Sequence, residues 1–137
     1  MKKTPQGFTL LEIMLVVTII GLLLTAAIFG FRGNVEYSRR VRVQGDIQGI
    51  TTQLKLYESM NGFYPTTDQG LRALAVQPDT DPKPSRWLQL FDKIPKDPWQ
   101  TDYIYRCPGL KNPNGFDLYS AGPDRIPDTA DDDWGGG

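Results

Sequence analysis

The chain begins with two different hydrophobic patterns, one after the other. An uncharged and almost wholly apolar run extends from Ile13 to Phe31. Beyond it, apolar residues recur at spacings of three or four positions, at Val43, Ile47, Ile50, Leu54 and Tyr57. The unbroken run is typical of a membrane-spanning helix, whereas the spaced pattern is typical of a helix with one apolar face.

These two patterns predict one long helix from about Thr9 to Met60, apolar all round in its first half and one-sided in its second. The apolar run is 19 residues long, and at ~1.5 Å per residue it spans ~28 Å, close to the hydrocarbon core of a bilayer. Asn61 and Gly62 are expected to end the helix, because both residue types adopt the left-handed conformation that closes one.

The second half of the chain is divided into short segments by proline and glycine. We predict a short helix over Gln69 to Val76 and a rigid turn at Ile94 to Trp99, with Trp99 covering the core. Strands are predicted at Tyr103 to Cys107 and at Phe116 to Ser120. The expected fold class is α+β, with the long helix packed on a small antiparallel sheet.

The position of Gly7 predicts how the N-terminus is processed. A secretory signal peptide is cut after its apolar stretch, at a small residue, but here the small residue precedes the stretch. Cleavage after Gly7 would retain the helix and start the mature chain at Phe8. Lys2 and Lys3 precede the apolar run, which favours a cytoplasmic N-terminus and places the remainder in the periplasm.

Length and charge limit the remaining possibilities. Of the 137 residues, about a hundred lie outside the bilayer, enough for one small domain. We divide the chain into a leader (1–7), a transmembrane helix (8–31) and a periplasmic globular domain (32–137) that includes the amphipathic half of the helix. The net charge of −1 gives no basic field, so we do not expect a nucleic-acid partner.

The composition also argues against catalysis. The chain has no histidine and a single cysteine, Cys107, so it lacks the commonest general base, the usual zinc ligand and any Cys–His pair. Cys107 cannot form a disulfide within the chain, and we interpret it as a small apolar residue at the end of a strand. We therefore predict that the protein is not an enzyme.

The sequence resembles a known family at several separate motifs. Gly7 to Leu24, GFTLLEIMLVVTIIGLLL, resembles the class III signal of type IV pilins and of the pseudopilins of type II secretion. Downstream motifs are similar to the major pseudopilins: NGFYPT (61–66), QGLRAL (69–74), IPKDPW (94–99) and FDLYSAGPD (116–124). The chain departs from that family at Gln100, where glycine is usual, and at Asp133, where an apolar residue is usual.

This resemblance implies a structural subunit that polymerises into a periplasmic pseudopilus and drives export of folded proteins across the outer membrane. It implies cleavage by a prepilin peptidase after Gly7 and N-methylation of Phe8. The implied partners are further copies of the chain, minor pseudopilins and the inner-membrane assembly platform. The implied location is the bacterial inner membrane, crossed once, with the globular domain in the periplasm.

Glu12 is the only charged residue within the apolar N-terminal segment. Intramembrane carboxylates usually have a partner, because an unpaired charge in the bilayer costs several kcal/mol. In one interpretation Glu12 attracts the Phe8 amine of a neighbouring subunit and sets the register of packed helices, and the resemblance implies such a role in assembly. In the other, Glu12 lies at the membrane interface, where water reaches it.

The C-terminal segment is rich in aspartate. Between Asp117 and Asp133 there are six aspartates and a single basic residue, Arg125. Such a run is either a solvated acidic tail or a site for a hard cation such as Ca2+, which takes oxygen ligands. The resemblance implies a calcium loop with Asp124, Asp131 and Asp132 as ligands, helped by the backbone carbonyls of Ala121 and Pro123.

Other details of this segment stay open. Asp117, within a predicted strand, and Asp128, in the middle of the loop, are weaker calcium candidates. The final residues, Trp134 to Gly137, are either a natural flexible end or an added tail.

Two other functions fit parts of the sequence. One is a type IV pilin of an adhesive or DNA-uptake fibre, although such pilins commonly close a C-terminal loop with a disulfide that a single cysteine cannot form. The other is a monomeric membrane-anchored binding domain, in which the apolar segment serves only as an anchor.

Overall fold

The computed structural model describes residues 7–136, except for the side chains of residues 30–34. The predicted leader residues 1–6 and Gly137 therefore lie outside the described part. The elements are, in chain order, helix α1 (Leu10–Asn61), a 3-10 helix (Leu71–Leu74), strand β1 (Ile104–Arg106) and strand β2 (Asp117–Tyr119). The chain forms two compact units, one ending at Ser38 and the other beginning at Arg39.

The first unit contains the apolar half of α1. Leu10–Phe29 is long and apolar enough to cross a membrane. All of its side chains are exposed, and a helix that is apolar on every face requires lipid or neighbouring helices around it. The helix begins directly after Thr9, as the sequence predicts to within one residue.

In the second unit, α1 supplies one wall of the hydrophobic core. The five residues of the predicted stripe, Val43, Ile47, Ile50, Leu54 and Tyr57, are all buried, with at most 9% of each exposed. The periodicity prediction is therefore confirmed. The side chains that cover this stripe come from the 3-10 helix, the turn before the sheet and both strands: Leu71, Ala73, Leu74, Trp99, Tyr103, Tyr105 and Leu118.

The end of α1 also agrees with the prediction. Gly62 has a φ of +82°, and its N–H donates to the carbonyl of Glu58 at 2.6 Å. The Asn61 side chain donates to the Tyr57 carbonyl at 3.0 Å and accepts the N–H of Arg86 at 2.9 Å. Asn61 therefore closes the helix and also fixes the chain that returns to it.

The predicted helix over Gln69 to Val76 is only partly formed. A single 3-10 turn spans Leu71–Leu74. Gly70 precedes it with a φ of +59°, a left-handed conformation that cannot belong to a right-handed helix. Trp87 holds the segment in place, because its indole N–H donates to the carbonyl of Ala73 at 2.8 Å.

The sheet consists of two short antiparallel strands. Strand β1 pairs with β2 so that Tyr105 lies opposite Leu118. Both strands are one residue shorter at each end than predicted. Tyr103 lies just before β1 and donates its hydroxyl to the Asp46 carboxylate of α1 at 2.8 Å, which joins the sheet to the helix by a polar contact as well as by the core.

The turn before the sheet is built around a buried carboxylate, Asp97, which has no exposed surface. Its Oδ1 accepts the backbone N–H groups of Trp99 at 3.0 Å and Thr101 at 2.8 Å. Its Oδ2 accepts the hydroxyls of Thr101 and Ser120, each at 2.6 Å. Four donors compensate the desolvation of the carboxylate. Trp99 is buried, as predicted.

Gln100 takes an unusual conformation within this turn. Its φ is +68°, and its N–H donates to the Asp97 carbonyl at 3.0 Å. Glycine adopts this left-handed region without steric cost, whereas a residue with a Cβ loses roughly 1–2 kcal/mol. The departure at Gln100 therefore leaves the turn intact and strains the backbone.

We predict that Gln100→Gly stabilises the protein by up to about 1 kcal/mol, since relief of the left-handed strain outweighs the extra entropy that glycine gives the unfolded chain. Urea unfolding followed by tryptophan fluorescence measures the change. Gln100→Ala is the control, because it shortens the side chain but keeps the Cβ. Equal midpoints for the glycine and alanine variants would show that the conformation is not strained.

Candidate functional site

The C-terminal loop is closed at its base by a pair of backbone hydrogen bonds. Ser120, directly after β2, and Asp133 form an isolated antiparallel bridge. The N–H of each residue donates to the carbonyl of the other, at 2.9 Å in both cases. Residues 121–132 therefore form a loop whose two ends are held together.

The loop brings the backbone of Asp124 close to the carboxylate of Asp131, two of the predicted calcium ligands. The backbone N–H of Asp124 donates to Asp131 Oδ2 at 3.1 Å. The hydroxyl of Thr129 donates to Asp131 Oδ1 at 2.7 Å. These donors, with Thr129 first, stabilise the ionised carboxylate and lower the pKa of Asp131 below its ordinary value.

Asp132 lies beside this pair along the chain and carries an unsatisfied oxygen. Its Oδ2 accepts the backbone N–H of Asp128 at 3.0 Å. Its Oδ1 is buried and has no hydrogen-bond partner within the described residues 7–136. A buried carboxylate oxygen without a donor is costly, because it loses hydration and gains nothing in return. A cation beside it would remove that cost.

Ala121 and Pro123 lie on either side of Gly122, which comes close to Asp131 in the other half of the loop. Ala121 is buried and Pro123 exposed. Gly122, between them, has a φ of +68°, and a Cβ at this position would collide with the backbone oxygen of Asp131. The two halves of the loop thus meet at Gly122, where only glycine fits.

The loop can bind a hard cation only if main-chain oxygens act as ligands alongside its carboxylates. In residues 7–136, no three acidic, histidine or cysteine side chains are grouped so as to hold a metal ion. Ca2+ accepts backbone carbonyls alongside carboxylates. The unpartnered oxygen of Asp132 and the excess of carboxylates therefore fit Ca2+ with a mixed ligand set.

Asp117, a weaker calcium candidate, has a structural role. Its carboxylate is buried and accepts the backbone N–H groups of Leu110, Lys111 and Asn112 at 2.7 to 3.0 Å. It therefore orders the loop between β1 and β2. A Cβ on Gly109 would meet Asp117 Oδ1 at 2.5 Å, so glycine is needed there as well.

Asp128, the other weaker candidate, is bound by a cation from outside the loop. Arg106 of β1 donates to both of its carboxylate oxygens, at 2.9 and 2.7 Å, and the Tyr119 hydroxyl donates at 2.9 Å. These contacts, Arg106 first, lower the pKa of Asp128 to about 2. Arg125 is thus not the only positive charge near the aspartates, because the fold adds Arg106.

The C-terminal end is not a flexible tail over its described part. The Trp134 ring stacks on Tyr119, with 4.2 Å between ring centroids. The Lys111 ammonium lies 3.5 Å from the centroid of the Trp134 ring, a cation–π contact. Gly135 packs against Ile47 of α1. Residues 134 and 135 therefore belong to the globular unit.

The N-terminal candidates lie just before α1 and in its first turn. Gly7, Phe8 and Glu12 are exposed. The N–H of Glu12 donates to the Thr9 hydroxyl at 3.3 Å and to the Thr9 carbonyl at 3.1 Å, so Thr9 caps the helix. The sequence analysis missed this role, although Thr9 and Glu12 have the spacing of a capping box.

Asp97 and Arg106 were also missed. Asp97 lies beside exposed Lys96 between two prolines, and only the buried Trp99 that follows marks the segment as part of the core. Arg106 carries no signal of its own, because its partner Asp128 is 22 residues away in the chain.

Comparison with known proteins gives consistent matches over most of the chain. A family model described as type II secretion system (T2SS), protein G, matches residues 31–134. A model of the prokaryotic N-terminal methylation motif matches residues 2–28.

Individual proteins match over similar lengths. The type II secretion system core protein G of Dickeya chrysanthemi is 40% identical over 96% of this chain and 86% of its own length. The protein of the same description from Pseudomonas aeruginosa is 38% identical over 96% of this chain and 93% of its own length.

A solved structure is also similar. The crystal structure of the major pseudopilin from the type 2 secretion system of enterohaemorrhagic Escherichia coli superposes with a TM-score of 0.68 at 38% identity. The matched region covers 74% of this chain and 85% of the chain in the crystal structure.

We predict that the Arg106–Asp128 pair makes the protein acid-sensitive between about pH 4 and pH 2. The pKa of Asp128 falls from 3.8 to about 2 on folding, so the pair stabilises the fold above about pH 4 and is lost as the pH falls through about 2. Arg106→Gln should lower the melting temperature at neutral pH and reduce its further fall on acidification.

Melting curves from pH 7 to pH 2 measure this effect. Arg125→Gln is the control, because it changes the net charge equally and Arg125 makes no ion pair with the described residues. The assignment would be wrong if the two glutamine variants had the same pH profile.

Proposed function

The chain belongs to the protein G family of the type II secretion system, the major pseudopilins, and we propose that it polymerises through its N-terminal helix into a periplasmic pseudopilus. The observation that carries the proposal is the exposed apolar half of α1. A single chain cannot bury this surface in water, so it requires lipid before assembly and neighbouring helices after it.

Polymerisation of this kind needs contacts between different surfaces of successive copies, since head-to-tail contacts that do not close generate an open helical filament. The proposed role is therefore structural and not enzymatic. The proposed partners are further copies of the chain, minor pseudopilins, the prepilin peptidase and the inner-membrane assembly platform. Growth of the fibre would drive folded proteins across the outer membrane.

We further propose that cleavage between Gly7 and Phe8 creates the amine with which Glu12 of a neighbouring copy pairs. The exposure of Glu12 in the single chain supports this, because its carboxylate is accessible to another subunit. Glu12 also lies in the first turn of α1, where a negative charge favours the positive end of the helix dipole. The helix-start role and the pairing role can be separated by mutation.

We predict that Glu12→Ala leaves membrane insertion intact and strongly reduces fibre formation and secretion, because the new amine loses its countercharge. Fibres sheared from cells and quantified by immunoblotting measure the effect. Thr9→Ala is the matched control, since it removes the cap, worth about 1 kcal/mol, but keeps the carboxylate. Equal loss of fibres in both variants would indicate that Glu12 acts only at the helix start.

We propose that the C-terminal loop binds Ca2+ through Asp124, Asp131 and Asp132, with backbone carbonyls of Ala121 and Pro123 as further ligands. The unpartnered buried oxygen of Asp132 supports this proposal, as does the proximity of Asp124 to Asp131. The ion would supply positive charge to a loop whose neighbouring cation, Arg106 of β1, is already paired with Asp128.

We predict that Ca2+ raises the melting temperature of the protein and that Asp124→Ala abolishes most of this rise. A ligand at 100 times its Kd stabilises the fold by about 2.7 kcal/mol. Calorimetric titration gives the affinity, with Mg2+ as the control ion because its smaller octahedral shell suits such a loop less well.

Asp92→Ala is the control variant, since Asp92 is exposed and lies outside the loop. An absence of both heat and stabilisation with Ca2+ would identify the loop as a solvated acidic segment.

A further inference from the structure

Asp97 connects two parts of the globular unit that are distant in sequence. Three of its four hydrogen bonds stay within its own turn, to Trp99 and Thr101. The fourth comes from the hydroxyl of Ser120, 23 residues later. A turn needs only local donors, so this fourth bond ties the turn to the start of the C-terminal loop.

Ser120 links Asp97 to the C-terminal loop. Its O–H group donates to Asp97 Oδ2 at 2.6 Å, and its oxygen accepts the backbone N–H of Gly122 at 3.1 Å. Its backbone forms the bridge to Asp133 that closes the loop. Ser120 has no exposed surface, so water does not compete for these bonds. The side chain therefore has one orientation, set by the carboxylate of Asp97.

The loop segment controlled by Ser120 lies against the proposed cation ligands. Gly122 lies so close to Asp131 that a Cβ added to it would meet the backbone oxygen and the carboxylate Oδ2 of Asp131. Its neighbours, Ala121 and Pro123, carry the carbonyls proposed as ligands. Removal of the Ser120 hydroxyl would therefore shift Gly122. That shift would move both the neighbouring carbonyls and the carboxylate of Asp131.

We propose that Asp97, acting through Ser120, is a positioning residue for the C-terminal cation site. This inference rests on the proposed calcium function and deepens it, because it assigns the geometry of the site to a carboxylate that is not itself a ligand. Groups that orient metal ligands in this way typically change the affinity by roughly 10- to 100-fold when they are removed.

Ser120→Ala is the test variant, because Asp97→Asn alters all four hydrogen bonds and risks misfolding. The matched control is Thr101→Val. The Thr101 hydroxyl donates to the same Asp97 oxygen at the same 2.6 Å, but among the described residues Thr101 hydrogen-bonds to Asp97 and not to the loop. Both variants remove one donor from one buried carboxylate, and only Ser120→Ala breaks the connection to Gly122.

Two readouts are measured on the full-length protein in detergent. The first is the Kd for Ca2+ by calorimetry. The second is hydrogen exchange of residues 121–134 without Ca2+, which reports the order of the loop independently of the ion. We expect Ser120→Ala to weaken Ca2+ binding at least about tenfold and to speed exchange in the loop, whereas Thr101→Val changes neither by more than about twofold.

The outcomes separate the two proposals. Equal effects of the two variants on affinity and exchange would overturn the positioning role, because the shared loss of a donor would then explain both. If the wild-type protein did not bind Ca2+, the calcium proposal would fail. Faster loop exchange in Ser120→Ala alone would still support control of the loop by Asp97, and its absence would overturn it.

Discussion

The globular unit depends on burial of the apolar stripe of α1. A two-stranded sheet is at best marginally stable in water, and the sheet here has only three residues in each strand. Leu118 and Tyr105 gain their stability as members of the same buried cluster as Ile50 and Leu54 of α1, which are fully buried. Each such side chain contributes about 1.5–3 kcal/mol when it leaves water. The helix therefore serves as the scaffold on which the remaining segments order.

Buried carboxylates accept many of the backbone hydrogen bonds that helices and strands satisfy in other folds. Backbone N–H groups must find partners when they leave water, and most of the chain after Asn61 has neither helix nor strand to supply them. Asp97 and Asp117 together accept five backbone N–H groups. These hydrogen bonds allow irregular segments to pack in the globular unit and to hold the C-terminal loop in position.

The acidic loop is held in part by a cation that the fold itself supplies. Arg106 binds Asp128 and passes over the ring of Tyr119, so the middle of the loop is held by the sheet itself. Burial first, and then the bond to Asp128, raises the pKa of Tyr119 to about 12, which keeps its hydroxyl a donor at any physiological pH. Asp132 Oδ1 has no such partner among the residues that the structure describes.

The sequence by itself determined the long helix, because helical periodicity and the Asn61–Gly62 stop depend on residues that are close together in the chain. It also located both strands, though one residue too long at each end. Tertiary structure alone decided which aspartates are paired: Asp117 and Asp128 are satisfied by partners that fold close to them, whereas Asp132 is left with a free oxygen. The sequence showed only a run of like charges there, since hydrogen bonding depends on distance and direction in space, and composition carries neither.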